Sequence, residues 1–250
     1  MSARPLNGQV ALVTGGGGGI GSAICRALAD AGATLVITYN QDQARADALA
    51  ESLPGSGHFA AHAPVEDSQA LARLARRIAD GPGRLDLLVN NAGITRSVPH
   101  HDLDELDDEL IDAIFRVNVR GAIACVRAMR ALLAAGEGGL VVNISSVAGR
   151  TALGSNIAYC ASKAALDNVT KSLARALAPQ IRVVSVSPGW VEGEYAQRMP
   201  PALIQEQRDR TPLGRIATAQ DVAAAVLAAA TQLRFTTGAV IPVDGGRPLL

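Results

Sequence analysis

The sequence predicts an α/β fold: a single-domain, doubly wound parallel sheet flanked by helices on both faces. Three observations carry this. Short β-branched apolar runs alternate with Ala- and Leu-rich helical stretches along the whole chain. Five consecutive glycines stand directly between the first such strand and the first helix. Spacing stays short throughout, with no repeat, linker or low-complexity break, so residues 1–250 read as one unit.

Composition narrows the function before any motif is read. The chain has 250 residues, 48% hydrophobic and 18% charged, enough for a substantial core. Lys+Arg and Asp+Glu both total 23, so no global basic field points to nucleic acid or an anionic membrane. Cys25, Cys125 and Cys160 are far apart and form no C-x-x-C, which suits small core residues in a reducing compartment. Met1 to Gly8 lack an apolar signal region, and Val222 to Ala230 is too short to span a membrane. A soluble, cytoplasmic protein is expected.

Gln9 to Thr14 is the first strand, and Ile20 to Asp30 the first helix, with Ile20, Ala23, Ile24, Ala27 and Leu28 on one face. Strand, glycine loop and helix in that order make a Rossmann-type dinucleotide-binding unit, whose helix N-terminus faces a pyrophosphate. Two registers fit: Gly16, Gly18 and Gly21 as G-x-G-x-x-G, or Gly15, Gly19 and Gly21 as G-x-x-x-G-x-G. Thr34 to Tyr39 is the second strand. An acid at its tip would favour the ribose 2′-hydroxyl of NAD, and a base the 2′-phosphate of NADP. Here Asn40 is neutral, Asp42 falls slightly late, and Arg45 belongs to the helix around Ala44 to Leu53.

Phe59 to His62 is the third strand, and Asp67 or Ser68 caps a helix with Leu71, Leu74 and Ile78 facing inward. Leu85 to Val89 is the fourth strand and ends in Asn90-Asn91-Ala92-Gly93, a small-residue turn. Leu103 to Ala135 reads as helix with one interruption, and holds Asn118 between Val117 and Val119 as a core amide or a site residue. Leu140 to Ile144 is the fifth strand, Ala158 to Ala178 a helix, and Ile181 to Val186 the sixth strand, closed by Ser187-Pro188-Gly189. From Trp190 to Leu213 the pattern breaks down, which predicts a mobile substrate loop with a short helix at about 190–213. Ala219 to Leu233 (helix) and Ala239 to Val243 (strand) complete the chain.

The candidate chemistry lies between the fifth strand and the following helix. Tyr159 and Lys163 are i,i+4 neighbours on one helical face. A phenol titrates near pH 10 in isolation, and an ammonium one turn away favours the phenolate, so the pair can exchange a proton near neutrality. Ser146, thirteen residues before Tyr159, follows the C-terminal tip of a buried strand, where parallel α/β sheets bind ligands.

Taken together, Thr14-Gly15-x-x-x-Gly19-Ile20-Gly21, Asn90-Asn91-Ala92-Gly93, Asn118, Ser146, Tyr159-x-x-x-Lys163 and Pro188-Gly189 resemble the short-chain dehydrogenase/reductase family over nearly the full chain. Pro212 to Arg215, Asp221-Val222 and Val243 to Gly246 resemble its 3-oxoacyl-(acyl carrier protein) reductase-like branch. The resemblance implies an NAD(P)(H)-dependent oxidoreductase that reduces a ketone, with a 3-oxoacyl thioester as leading substrate. Dehydrogenation of a sugar, cyclic alcohol or biosynthetic intermediate is the alternative, and a non-catalytic nucleotide-binding regulator the distant one.

By that resemblance Tyr159 is the proton donor, Lys163 lowers its pKa and binds the nicotinamide ribose, and Ser146 holds the substrate carbonyl. Asn118 holds a water that links Lys163 to solvent. Gly15, Gly19, Ile20 and Gly21 line the pyrophosphate, and Asn91, Ala92 and Gly93 the adenosine ribose and nearby backbone. Asn40 and Val65 contact the adenosine end, and Pro188, Gly189 and Val191 the carboxamide. NADP(H) stands slightly ahead of NAD(H). A homotetramer or homodimer is implied, built on the helices around Glu109 to Ala135 and Ala158 to Ala178.

The chain also departs from the family pattern. Pro64 replaces a common Asp, Gly18 a basic residue frequent in NADP enzymes, Gly193 a Thr, and Ser185 an Asn. Glu137 and Gln180 stand where carrier-binding reductases commonly have arginines, which weakens an acyl carrier protein as partner; the expected substrate is a small carbonyl or alcohol, a CoA or acyl carrier protein thioester among the candidates.

Other conspicuous residues have plainer readings. His100-His101 lacks metal-ligand companions, so no metal is expected. Arg73, Arg76 and Arg77 form a wet helix face, and Cys160 a packing residue. Ile94, Arg150, Leu153, Trp190, Glu192 and Tyr195 are candidates for the pocket rim, and no substrate follows from them.

Overall fold

Four consecutive aliphatic residues, Val10–Val13, form the fully buried strand β1 of the computed structural model. The structure describes residues 4–249; the side chain of Tyr195, expected at the pocket rim, lies outside the described part. Then come α1 (Gly19–Asp30), β2 (Thr34–Tyr39), α2 (Gln43–Ser52), β3 (Phe59–His62), α3 (Ser68–Asp80) and β4 (Leu87–Asn90). Helix α4 (Asp108–Phe115) runs through a π-helical turn, Arg116–Gly121, into α5 (Ala122–Ala134). Next are β5 (Gly139–Ile144), α6 (Ala148–Thr151), α7 (Ile157–Leu177) and β6 (Ile181–Pro188). Last are α8 (Glu194–Gln197), α9 (Pro201–Asp209), α10 (Ala219–Thr231), β7 (Val240–Val243) and a 3-10 turn, Arg247–Leu249.

The seven strands are parallel, in the order β3-β2-β1-β4-β5-β6-β7. The chain winds outward from β1 to β3, then returns to place β4 on the other side of β1. Such a reversal opens a crevice at the C-terminal ends of the strands.

The strands read as continuous apolar runs because both faces of the sheet are covered. Alternate residues go to opposite sides: Ala11 and Val13 pack with Ile24 and Leu28 of α1 and Val222 and Val226 of α10. Val10 and Leu12 pack with Leu71, Leu74 and Ile78 of α3 and Cys125, Met129 and Leu133 of α5. Each fully buried Leu or Ile side chain contributes roughly 1.5–3 kcal/mol over its exposed state. The cysteine expectation fits this packing: burial pushes the thiols of Cys25 and Cys125 up to about 12, where they are unreactive at neutral pH.

Three departures from the sequence reading have local causes. Helix α4 begins at Asp108, not near Leu103, because the Asp107 side chain caps it by accepting from Leu110 N at 2.7 Å. The interruption before α5 is a π turn, not a break. A Cβ on Gly121 within that turn would lie 2.6 Å from Val65 Cγ2, so only glycine allows the close approach. The segment after β6 holds two helices where one was expected; α9 starts on Pro201, whose missing N–H costs nothing in a first turn. Buried Gln207 ties α9 to the C-terminal turn by accepting from Arg247 Nη2 at 2.8 Å.

Candidate active site

Helix α7 starts where it does because of Asn156. The Asn156 side chain, wholly buried, accepts from Tyr159 N at 2.6 Å and donates to Arg96 O at 2.7 Å. One amide therefore caps the helix and joins it to the segment after β4. From that start, Tyr159 and Lys163 fall on one face, with Lys163 Nζ 5.6 Å from the Tyr159 ring centroid. Tyr159 is half-buried and Lys163 buried.

The β5 tip supplies the floor. Lys163 Nζ donates to Ile144 O at 2.8 Å, and Ser145 Oγ donates to Lys163 O at 3.3 Å. Ser146 follows, half-buried, its Oγ accepting from Ala148 N at 3.2 Å in the turn into α6. Deeper down, Asn143 Nδ2 donates to Thr170 Oγ1 at 2.8 Å, and Thr170 Oγ1 and Ser185 Oγ are bonded at 2.7 Å. Asn90 Nδ2 joins this chain through Asn143 Oδ1, also at 2.8 Å. The buried polar chain locks β4, β5, β6 and α7 to one another.

Asn118 lies in the π turn. Its Oδ1 accepts from Ile94 N at 2.8 Å, and its Nδ2 donates to Ile94 O at 3.1 Å and to Ser162 Oγ at 3.1 Å. Ser162 Oγ in turn donates to Tyr159 O at 2.8 Å. A Cβ on Gly93 would sit 3.3 Å from Asn118 Oδ1 and 3.7 Å from Lys163 Nζ, so these three residues converge. A π turn is a common device for aiming a side chain at a functional site.

Burial decides the electrostatics. Desolvation pulls the Lys163 ammonium down to about 8, and the carboxylate of Asp167, one turn further along α7, opposes that shift. The cation is thus poised to be charged at neutral pH and to lose its proton in mild base.

The nucleotide end is built by close backbone packing. Gly15 has φ +61°, in the left-handed region that suits glycine. A Cβ on Gly21 would lie 2.6 Å from Gly15 O, and one on Gly16 2.8 Å from Ile37 Cγ2. Asn91 Nδ2 donates to Thr14 O at 3.0 Å and Gly15 O at 3.1 Å, while Thr14 Oγ1 accepts from Asn91 N and Ala92 N, both at 3.0 Å. The register therefore uses Gly15, Gly16 and Gly21 for packing. Gly18 and Gly19 are exposed at the start of α1, with no side-chain cap and open space where a Gly19 Cβ would point. Uncapped N–H groups at a helix N-terminus beside such a cradle suit a dinucleotide pyrophosphate.

The remaining predicted residues are placed as follows. Ile20 is half-buried in α1, and Asn40 exposed beyond β2. Val65 is buried against Gly121, its side chain engaged with the π turn. Pro188 ends β6, Gly189 N donates to Val243 O at 3.0 Å, and Val191 bridges to Ala217. Arg150, Glu192 and Trp190 follow Ser146 and Pro188, and Arg150 is ion-paired with Asp244 at 3.2 Å. His100 Nε2 lies 3.1 Å from Gly154 O, and no group of three metal-ligating side chains gathers among the described residues. Asn156, Ser162 and the Asn143–Thr170 pair were not singled out from sequence, and Ser185 was noted only as a departure from the family pattern. An N-cap Asn three residues before Tyr159 was a readable signal for the first.

A protein-family model described as enoyl-(acyl carrier protein) reductase matches residues 15–247. The chain belongs to the short-chain dehydrogenase/reductase family. It is therefore an oxidoreductase of alcohol and carbonyl groups, and the family binds a nicotinamide dinucleotide, NAD or NADP. It is 36% identical over 247 residues to the 3-oxoacyl-[acyl-carrier-protein] reductase of Aquifex aeolicus, covering 96% of this chain and 98% of that one. It is 37% identical over 243 residues to the cis-4-hydroxycyclohexanecarboxylate dehydrogenase of Sinomonas cyclohexanicum, covering 95% and 96%. Among solved structures, a short-chain dehydrogenase/reductase of Brucella melitensis, titled glucose/ribitol dehydrogenase, superposes with TM-score 0.91 at 28% identity, covering 99% of both chains.

Proposed function

We propose that this protein reduces a ketone to a secondary alcohol with NADP(H), in preference to NAD(H), and that a 3-oxoacyl thioester is its leading substrate. When bound, the reduced nicotinamide supplies a hydride to the carbonyl carbon. The Tyr159 hydroxyl donates its proton to the carbonyl oxygen, and the Ser146 hydroxyl orients that oxygen by a hydrogen bond. Lys163, charged at neutral pH, stabilises the phenolate left on Tyr159 and holds the nicotinamide ribose. Asn118 positions the water through which Lys163 is recharged. Gly15, Gly19, Ile20 and Gly21, with Asn91, Ala92 and Gly93, receive the pyrophosphate and adenosine ribose; Asn40 and Val65 the adenosine end; Pro188, Gly189 and Val191 the carboxamide.

The observation that carries this reading is the anchored pair: Lys163 Nζ fixed at 2.8 Å to Ile144 O, beneath Tyr159 and two residues before Ser146. The similarity to the 3-oxoacyl-[acyl-carrier-protein] reductase supports the thioester. The similarity to cis-4-hydroxycyclohexanecarboxylate dehydrogenase supports the second reading, oxidation of a cyclic or sugar alcohol. Glu137 and Gln180 at the carrier positions favour a CoA thioester over an acyl carrier protein. We assign the protein to the cytoplasm, as a homotetramer or homodimer.

The test is one spectrophotometric panel of NADPH and NADH oxidation against acetoacetyl-CoA, a carrier-bound ketoester and simple ketones. Turnover of acetoacetyl-CoA with NADPH is expected. Turnover confined to NAD-linked alcohol oxidation would replace it with the second reading.

A further inference from the structure

One ion pair joins parts of the fold that are far apart in the sequence. Arg45 is the third residue of α2, fixed there by the Asp42 side chain, which accepts from Arg45 N at 2.9 Å. Its Cγ lies 3.7 Å from where a Gly17 Cβ would point, so its stem runs beside the glycine loop. Its Nη1 donates to Glu194 Oε1 at 2.9 Å across 149 residues of sequence. Glu194 opens α8, in the segment that follows Val191. In the sheet, β1, β4 and β5 lie between the strands that lead into these two segments, β2 and β6. The Arg45–Glu194 pair therefore bridges the C-terminal crevice from the adenosine end to the substrate segment.

We propose that Arg45 is the ligand for the 2′-phosphate of NADP(H), and that Glu194 is the carboxylate this phosphate displaces. The inference rests on the nicotinamide dinucleotide reading above. The β2 tip has no acid to claim the 2′-hydroxyl, and Asn40 is neutral, so Arg45 is the charged group on the first turn of α2. The guanidinium fork matches a phosphate in two hydrogen bonds, and a phosphate carries more charge than one carboxylate. The Arg45 and Glu194 side chains are 46% and 63% exposed, so their pair is screened and readily exchanged. Displacement frees Glu194, and with it the attachment of α8 to α2. Occupancy by the phosphate thus loosens the substrate segment, whereas NAD(H) leaves it tied.

The experiment measures NADPH and NADH dissociation constants by equilibrium fluorescence titration on the full chain, for wild type, Arg45→Gln and Glu194→Gln. Arg45→Gln is expected to weaken NADPH about tenfold or more and leave NADH within about twofold. Glu194→Gln removes the competitor and is expected to tighten NADPH about two- to fivefold, with NADH unchanged. Equal effects of Arg45→Gln on both cofactors, or none, would overturn the phosphate assignment while leaving the dinucleotide reading intact. An unchanged NADPH constant in Glu194→Gln would overturn the displacement. Wild-type protein that binds neither cofactor would remove the dinucleotide reading itself.

Discussion

Lys163 Nζ donates to the main-chain carbonyl of Ile144 at 2.8 Å. The cation beside Tyr159 is therefore held by the sheet, at the last residue of β5, and a carbonyl attached to a strand cannot swing away. Its position is fixed and its charge is the variable, since burial pulls it down to about 8.

Activity should accordingly fall as pH rises past about 8, when Lys163 loses the proton that supports the Tyr159 phenolate. Asp167 opposes the desolvation, so Asp167→Asn should move this alkaline limb to lower pH, read from a profile of kcat against pH. Stability has the opposite sign. Between about 8 and the ordinary lysine value near 10.4, the unfolded chain binds a proton that the folded chain does not, so stability gains from this group as pH rises. Relative to Lys163→Met, the wild type should therefore gain in Tm between pH 8 and 10.

Asn156→Ala should lower stability by about 0.5–2 kcal/mol through loss of the α7 cap. It also releases Arg96 O and the start of the helix that carries Tyr159, so kcat should drop with it. Asn156→Asp keeps the acceptor for Tyr159 N but turns a buried carboxylate oxygen toward Arg96 O, so it should not recover the Tm, measured by thermal denaturation.

Two glycines of one loop should respond differently to the same methyl group. In Gly21→Ala the new Cβ would lie 2.6 Å from Gly15 O and 2.8 Å from Asn91 Nδ2, so the loop itself is broken and Tm falls. In Gly19→Ala it points into open space, so Tm is kept while the dinucleotide constant weakens. Paired melting and cofactor titration separate the two outcomes.

What was legible in the sequence followed local rules. The Tyr159–Lys163 face needs only helical periodicity, and the strands need only apolar runs wedged between helices. The anchor of Lys163 was not legible, because Ile144 offers a carbonyl that every residue has; the strand and helix must be packed before the choice of carbonyl appears. Asn118 was visible as an amide in apolar company, yet its aim depends on a π turn whose Gly121 packs against Val65 of a different crossover. The 190–213 segment looked irregular because its helices draw on distant partners, Gln207 on Arg247 and Glu194 on Arg45. The choice of cofactor was obscure for a related reason: the β2 tip itself carries no charge at Asn40, and Arg45, to which we assign that choice, stands in the first turn of α2.

Tyr159→Phe removes one oxygen from the proposed proton donor and keeps its ring on α7. The decisive measurement is NADPH-linked ketone reduction by this variant, with the NADPH dissociation constant determined on the same sample. If Tyr159 is the proton donor, turnover falls at least about a hundredfold, the scale of general acid catalysis, while cofactor affinity is retained. A variant that turns over at the wild-type rate would contradict that role.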